Sequence, residues 1–213
     1  MKSIIIALVL LLANNSKYKL PENLKNTNVK KMEAEKNSEI AIFAGGCFWC
    51  TEAVFLQLEG VESVLPGYIG GKEANPTYEE VCSGYSGHAE AVKIVFDPKK
   101  INFEDLIEVF FATHDPTTIN RQGADVGSQY RSEIFYTTEN QMIKAKSYIE
   151  NLNNQNTFGK KVVTKISSAT QFFVAENYHQ NYYNQNKDKS YCSYVITPKI
   201  EKVKKEFKEK LKK

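Results

Sequence analysis

The stretch Gly45-Gly46-Cys47-Phe48-Trp49-Cys50-Thr51-Glu52 constrains this chain more than any other. It follows a short apolar run, Ile40 to Ala44, that reads as a buried strand, and it leads into a segment apolar almost all round, which reads as a buried helix to about Leu58. Two glycines at the strand end permit a tight turn and close backbone approach, so Cys47 is expected at or near the first helical turn. Unpaired backbone N–H groups and the positive end of the helix dipole would there favour the thiolate and lower the thiol's pKa. The pattern therefore predicts a cysteine nucleophile. The bland alternative is a pair of small core residues, because free cysteine is among the most buried residue types. A zinc site is disfavoured, since Cys82 and Cys192 stand alone and do not form a second ligand pair.

The rest of the chain falls into place around this stretch. Val61 to Ile69 and His88 to Phe96 read as strands, Thr77 to Cys82 as a helical turn, and Arg131 to Thr137 as strand-like. Asn102 with Asp105 predicts an N-terminal cap for a helix whose stripe is Phe103, Leu106, Ile107, Phe110 and Phe111. Thr138 with Gln141 predicts another, with Met142, Ala145, Ile149 and Leu152 on its inner face. Lys161 to Ile166 is a candidate edge strand, and Ala175 to Asn184 reads as a polar, aromatic helix. The central order strand, helix, strand, strand, helix, strand predicts an α+β two-layer sandwich with a ferredoxin-like βαββαβ core plus additional helices and loops.

The ends differ from the middle. Lys2 followed by the apolar run Ile4 to Ala13 reads as a signal peptide over 1–15, with an uncleaved anchor as the alternative. The polar stretch 16–38 reads as a flexible linker, 39–195 as the catalytic domain, and 196–213 as a Lys-rich amphipathic C-terminal helix with Ile200, Val203, Phe207 and Leu211 at helical spacing. Export to the periplasm or cell envelope would place the thiols where paired cysteines tend to oxidise unless a reductant restores them. The net charge of +3 in 213 residues gives no footing for a nucleic-acid partner.

A thiolate nucleophile needs a proton donor and a route back to its starting state. Glu90 opens an apolar strand, where burial would raise its pKa and keep it protonated near neutral pH. Phe48 and Trp49 beside Cys47 are either core or an apolar pocket for a methyl-bearing group. Of the histidines, His88 is expected near Glu90, His114 at a helix end, and His179 on the surface.

The segments GCFWCTEAVF, GYIGG, NPTYEEVCSGYSGHAEAVKIVFDP, HDPTT and QGADVGSQYRSEIFY, in this order and spacing, resemble the peptide methionine sulfoxide reductases of the A type. The resemblance spans about Ile40 to Cys192. It implies that Cys47 attacks the sulfoxide sulfur and Glu90 protonates its oxygen. Tyr78 and Tyr130 would hydrogen-bond that oxygen, Phe48 and Trp49 would hold the methyl group, and Asp125 would contact the substrate or orient the site. It further implies specificity for the S epimer, a Cys47 sulfenic acid, and resolution by a cysteine near the C-terminus, which places Cys192 first. Cys50 is the local competitor, placed second because regular helical spacing sets i and i+3 Cβ atoms roughly 5–6 Å apart, against about 3.8 Å in a relaxed disulfide. Cys82 is expected to be structural. The implied partners are oxidised proteins and a thioredoxin-like reductant, with no metal and no cofactor, and the chain is expected to act as a monomer. The alternative enzyme class is a general dithiol-disulfide oxidoreductase using Cys47 and Cys50.

Overall fold

The computed structural model describes residues 38–213, so the expected signal segment and all but the last residue of the expected linker lie outside the described residues. The strands are β1 (Glu39–Gly45), β2 (Val61–Ile69), β3 (Ala89–Phe96), β4 (Arg121–Gln122), β5 (Asp125–Val126), β6 (Ser132–Tyr136), β7 (Lys165–Ser168) and β8 (Phe173–Val174). The helices are α1 (Phe48–Phe55), α2 (Tyr78–Cys82), α3 (Phe103–Thr113), α4 (Glu139–Asn154), α5 (Tyr182–Gln185) and α6 (Thr197–Glu206). Six strands form one mixed sheet in the order β7-β6-β1-β3-β2-β8, while β4 and β5 pair separately. Only the β6–β7 pair is parallel.

Alternation along the strands assigns the two faces of the sheet. Ala41 and Phe43 of β1, with Val92, Ile94 and Phe96 of β3, share a core with Val54 and Phe55 of α1 and Leu106, Ile107 and Phe110 of α3. The intervening residues Ile42, Ala44, Ala89 and Ala91 face the other way, where Phe135, Ala169 and Phe172 cover them. The Phe43 ring projects from β1 onto the helices, stacked on Phe110 with ring centroids 4.9 Å apart.

Local signals explain where helices start. Asn102 and Asp105 exchange side-chain and backbone hydrogen bonds in a reciprocal cap, and Thr77 and Glu80 do the same before α2. Thr138 accepts from the Gln141 amide, but the Gln141 side chain instead reaches Thr137 and the Ile40 carbonyl, tying α4 to β1.

The expected helix over Ala175 to Asn184 is instead a short 3₁₀ turn, Asn177–His179, followed by α5. Asn181 between them takes φ +52°, which breaks any continuous helix. The edge strand β7 starts later than the periodicity placed it. The expected C-terminal helix over 196–213 ends at Glu206: α6 buries Ile200 and Val203, and beyond it Phe207 is buried and Leu211 bridges Leu58. Among the described residues no helix is long and apolar enough to cross a membrane.

Candidate active site

The turn between β1 and α1 depends on Gly46. Its φ of +91° is open to glycine, and a Cβ there would lie 2.4 Å from Cγ of Gln122. Cys47 follows as the N-cap of α1, with φ −53° and ψ 121°, outside the regular helix. Its side chain makes no capping hydrogen bond.

That geometry corrects the expected low thiol pKa of Cys47. Burial pushes the Cys47 thiol well above its ordinary value, and the hydrogen bond with Cys50 adds to the effect. Cys50 moves the other way: the hydrogen bond with Cys47 lowers its thiol, helped by the Lys199 charge and the Tyr191 hydroxyl. The N-cap conformation also bears on the spacing argument, because a residue with ψ 121° is not bound by the helical i to i+3 separation.

Glu90, 1% exposed on β3, accepts a hydrogen bond from the Phe48 amide at 3.1 Å. Burial pushes its carboxyl up to about 8; the Phe48 N–H opposes this and the Asp125 charge adds to it. The carboxyl is thus mostly protonated at neutral pH. Tyr78 on α2 and Tyr130 lie within electrostatic reach of Glu90, and burial pushes both phenols well above their ordinary value. Cys82 is half-buried, and burial raises its thiol while the neighbouring Tyr78 hydroxyl opposes the rise.

Phe48 is buried, and Trp49 beside it is partly exposed. Trp49 stacks on Tyr182 with centroids 3.7 Å apart and planes within 7°, and its Nε1–H donates to Nδ1 of His179 at 3.0 Å. His179, expected at the surface, is fully enclosed by Phe48, Trp49, Tyr78 and Tyr178. The reason is long-range: Glu176 accepts from the Tyr68 hydroxyl and the Tyr78 amide, which pulls this turn onto β2 and α2. The His88 ring turns its nitrogens to the loop after β2. Its Nδ1 accepts from the Gly71 amide and its Nε2 bonds the Glu73 carbonyl, bracing the loop after β2. His114 does end its helix, bonding the Phe110 carbonyl through Nδ1.

On the other side of Cys47 lies a cavity of about 170 Å³ bordered by Cys50, Gln122, Asp125, Tyr191, Val195 and Lys199. The β4–β5 hairpin places Asp125, whose Oδ2 accepts from the Tyr191 hydroxyl at 2.7 Å, and that hydroxyl is 3.8 Å from Sγ of Cys50. Cys192 is fully buried in one apolar cluster with Cys47, Cys50 and Ala53. Of the residues singled out from the sequence, Cys47, Cys50 and Asp125 border this cavity, Tyr130 and Cys192 pack in the cluster around Cys47, and Glu90 is bonded to the Phe48 amide beside it, with Trp49 and Tyr78 meeting at His179. Sequence reasoning missed Glu52, Glu176, Tyr182 and Lys199, and saw Tyr191 only as context for Cys192. Among the described residues no group of three or more His, Cys, Asp or Glu side chains converges on a metal position.

A family model for peptide methionine sulfoxide reductase matches residues 39–211. The peptide methionine sulfoxide reductase MsrA of Deinococcus radiodurans is 52% identical over 187 residues, 88% of this chain and 91% of that protein. The MsrA of Chromobacterium violaceum is 53% identical over 169 residues, 79% of this chain and 96% of that protein. The crystal structure of reduced Mxr1 from Saccharomyces cerevisiae superposes with a TM-score of 0.69 at 32% identity, covering 74% of this chain and 90% of that one. With its match across nearly every described residue and the thiol, buried carboxyl and aromatic wall in one site, the chain belongs to the peptide methionine sulfoxide reductase family.

Proposed function

We propose that this oxidoreductase reduces the S epimer of methionine sulfoxide, in oxidised proteins and as the free amino acid, with Cys47 as nucleophile and Glu90 as proton donor. The observation that carries the reading is the buried Glu90 carboxyl, held by the first amide of the Cys47 helix and protonated at neutral pH. Sulfoxide reduction needs an acid at the oxygen as sulfur attacks sulfur, and a neutral carboxyl supplies one.

In the first step Cys47 gives its proton to the thiolate form of Cys50, the more acidic of the two thiols, and the Cys47 sulfur attacks the sulfoxide sulfur. Glu90 protonates the sulfoxide oxygen, the S–O bond to the substrate breaks, and methionine leaves with Cys47 as a sulfenic acid. Glu90 regains a proton from water. Phe48 and Trp49 hold the methyl group, while the hydroxyls of Tyr78 and Tyr130 bond the oxygen. Asp125 orients Tyr191 on the resolving side.

A second thiol then attacks the sulfenic sulfur, releasing water and leaving a disulfide. The lowered Cys50 thiol favours Cys50 for this attack, ahead of the Cys192 that the resemblance places first, and Cys192 in the same cluster then takes over the disulfide. Two electrons and two protons from a thioredoxin-like dithiol restore the thiols. The chain acts as a monomer, and the apolar run Ile4 to Ala13 supports export. The order β6-β1-β3-β2, with α1 and α3 in one layer, supports a ferredoxin-like core carrying this site.

The test is turnover of separate S and R epimers of a methionine sulfoxide peptide with dithiothreitol. The wild type should consume only the S epimer and Cys47→Ser neither; consumption by Cys47→Ser, or of the R epimer alone, would overturn the proposal.

A further inference from the structure

Glu52 is a carboxylate that the proposed chemistry does not use. It sits on α1, only 2% exposed, and both of its oxygens are engaged: Oε1 accepts from the Asn181 amide at 2.7 Å and Oε2 from the Tyr182 amide at 3.3 Å. These are the two amides at the point where the chain takes its left-handed turn, φ +52° at Asn181. The next ring, Tyr182, lies flat on Trp49.

We propose that Glu52 is a positioning residue that fixes the indole of Trp49 by clamping the Asn181–Tyr182 turn, so that α1 carries both the nucleophile and the device that sets the substrate wall beside it. The inference rests on the methyl-holding role given to Trp49 above. Three observations converge on it. Trp49 is gripped on its face by Tyr182 and on its edge by His179, both from the 177–182 segment. The clamp comes from the same helix, one turn on from Trp49. Neighbouring Gln180 donates to the carbonyls of Pro66 and Ala175, so the segment is anchored to β2 independently and only its last step depends on Glu52. Burial raises the Glu52 carboxyl to about 7, and the two N–H donors of the turn oppose the rise.

Glu52→Gln keeps the shape but sets an amide N–H₂ against one of the two backbone donors. It should raise KM for a methionine sulfoxide peptide roughly tenfold, since small displacements of positioning groups are costly, with kcat changed less than about twofold, the pattern of lost substrate positioning. Trp49 is the only tryptophan, so its emission reads the wall directly and should shift to the red in Glu52→Gln. In a Tyr182→Ala background the same substitution should add nothing to KM, because the two act in series. An unchanged KM and emission in folded Glu52→Gln, or full additivity with Tyr182→Ala, would overturn the inference. If Glu52→Gln does not fold, hydrogen exchange of the wild type decides: protected amides at Asn181 and Tyr182 support the clamp, and exchange at the rate of open chain overturns it. Emission and exchange are independent of turnover, so failure of the clamp is distinguishable from failure of the proposed reaction.

Discussion

The Glu90 carboxyl on β3 and the Phe48 amide at the start of α1 are joined by a 3.1 Å hydrogen bond across 42 residues of sequence. The bond locks the acid to the helix whose N-cap is the nucleophile, so neither can drift without the other. Glu90→Gln retains an acceptor for the Phe48 N–H but has no proton to give. The substitution should therefore lower kcat/KM for the S epimer by about 10²–10⁴ while leaving the fold intact. Wild-type activity should decline as pH rises through about 8, where Glu90 ionises, and the residual activity of Glu90→Gln should lack that limb. Initial rates from pH 6 to 9.5 on both proteins check this.

The same carboxyl, with Glu52, sets a pH dependence of stability. Both are held above the ordinary carboxyl value, at about 8 and about 7, by burial. The folded protein therefore binds more protons than the unfolded chain between the unfolded value and these raised ones. Their stabilising contribution is fully present below about pH 4.5 and is lost as pH rises through about 7 and then 8. Urea midpoints should fall from pH 6 to pH 9, and Glu90→Gln should show a shallower fall. An equal slope in both proteins would remove Glu90 as its source.

The resolving thiols can be separated by trapping. With Cys47 and Cys50 already in contact and Cys192 in the same cluster, one equivalent of sulfoxide given to the Cys192→Ser variant should leave a Cys47–Cys50 disulfide. In Cys50→Ser the sulfenic acid should persist longer and be captured by dimedone. Both variants should still release one methionine per chain. Peptide mass spectrometry after quenching reads the products.

Much of this site was legible because its parts are local. The strand ending in two glycines, the N-terminal cap at Asn102 with Asp105, and the three strands over Glu39–Gly45, Val61–Ile69 and Ala89–Phe96 each follow from neighbouring residues. Glu90 opens an apolar strand, and its raised pKa follows from that burial. What stayed hidden is set by contacts between distant segments. His179 is drawn inside by Glu176 bonding β2 and α2, partners about 100 residues away, and no local periodicity encodes that. The Cys47 thiol was expected low from its place at a helix start, yet its side chain caps nothing and desolvation dominates, a balance that needs the packed environment.

Tyr191 links the two halves of the thiol chemistry. Its hydroxyl donates to Asp125 and reaches toward Cys50, and its hydrogen bonding holds down the pKa of both Cys47 and Cys50. Tyr191→Phe keeps the ring that packs edge-on against Trp49 but removes that hydroxyl. Both thiols should then ionise less readily, because a hydrogen bond to a charged group is worth about 1.5–3 kcal/mol. Iodoacetamide should modify the pair roughly ten- to a hundredfold more slowly at pH 7 than in the wild type, by the conversion of that energy to an ionisation constant. Asp125→Asn should have a smaller effect, since the Tyr191 hydroxyl remains and can turn its proton toward sulfur. Equal modification rates in all three proteins would mean that the thiols are tuned by burial and Lys199 alone.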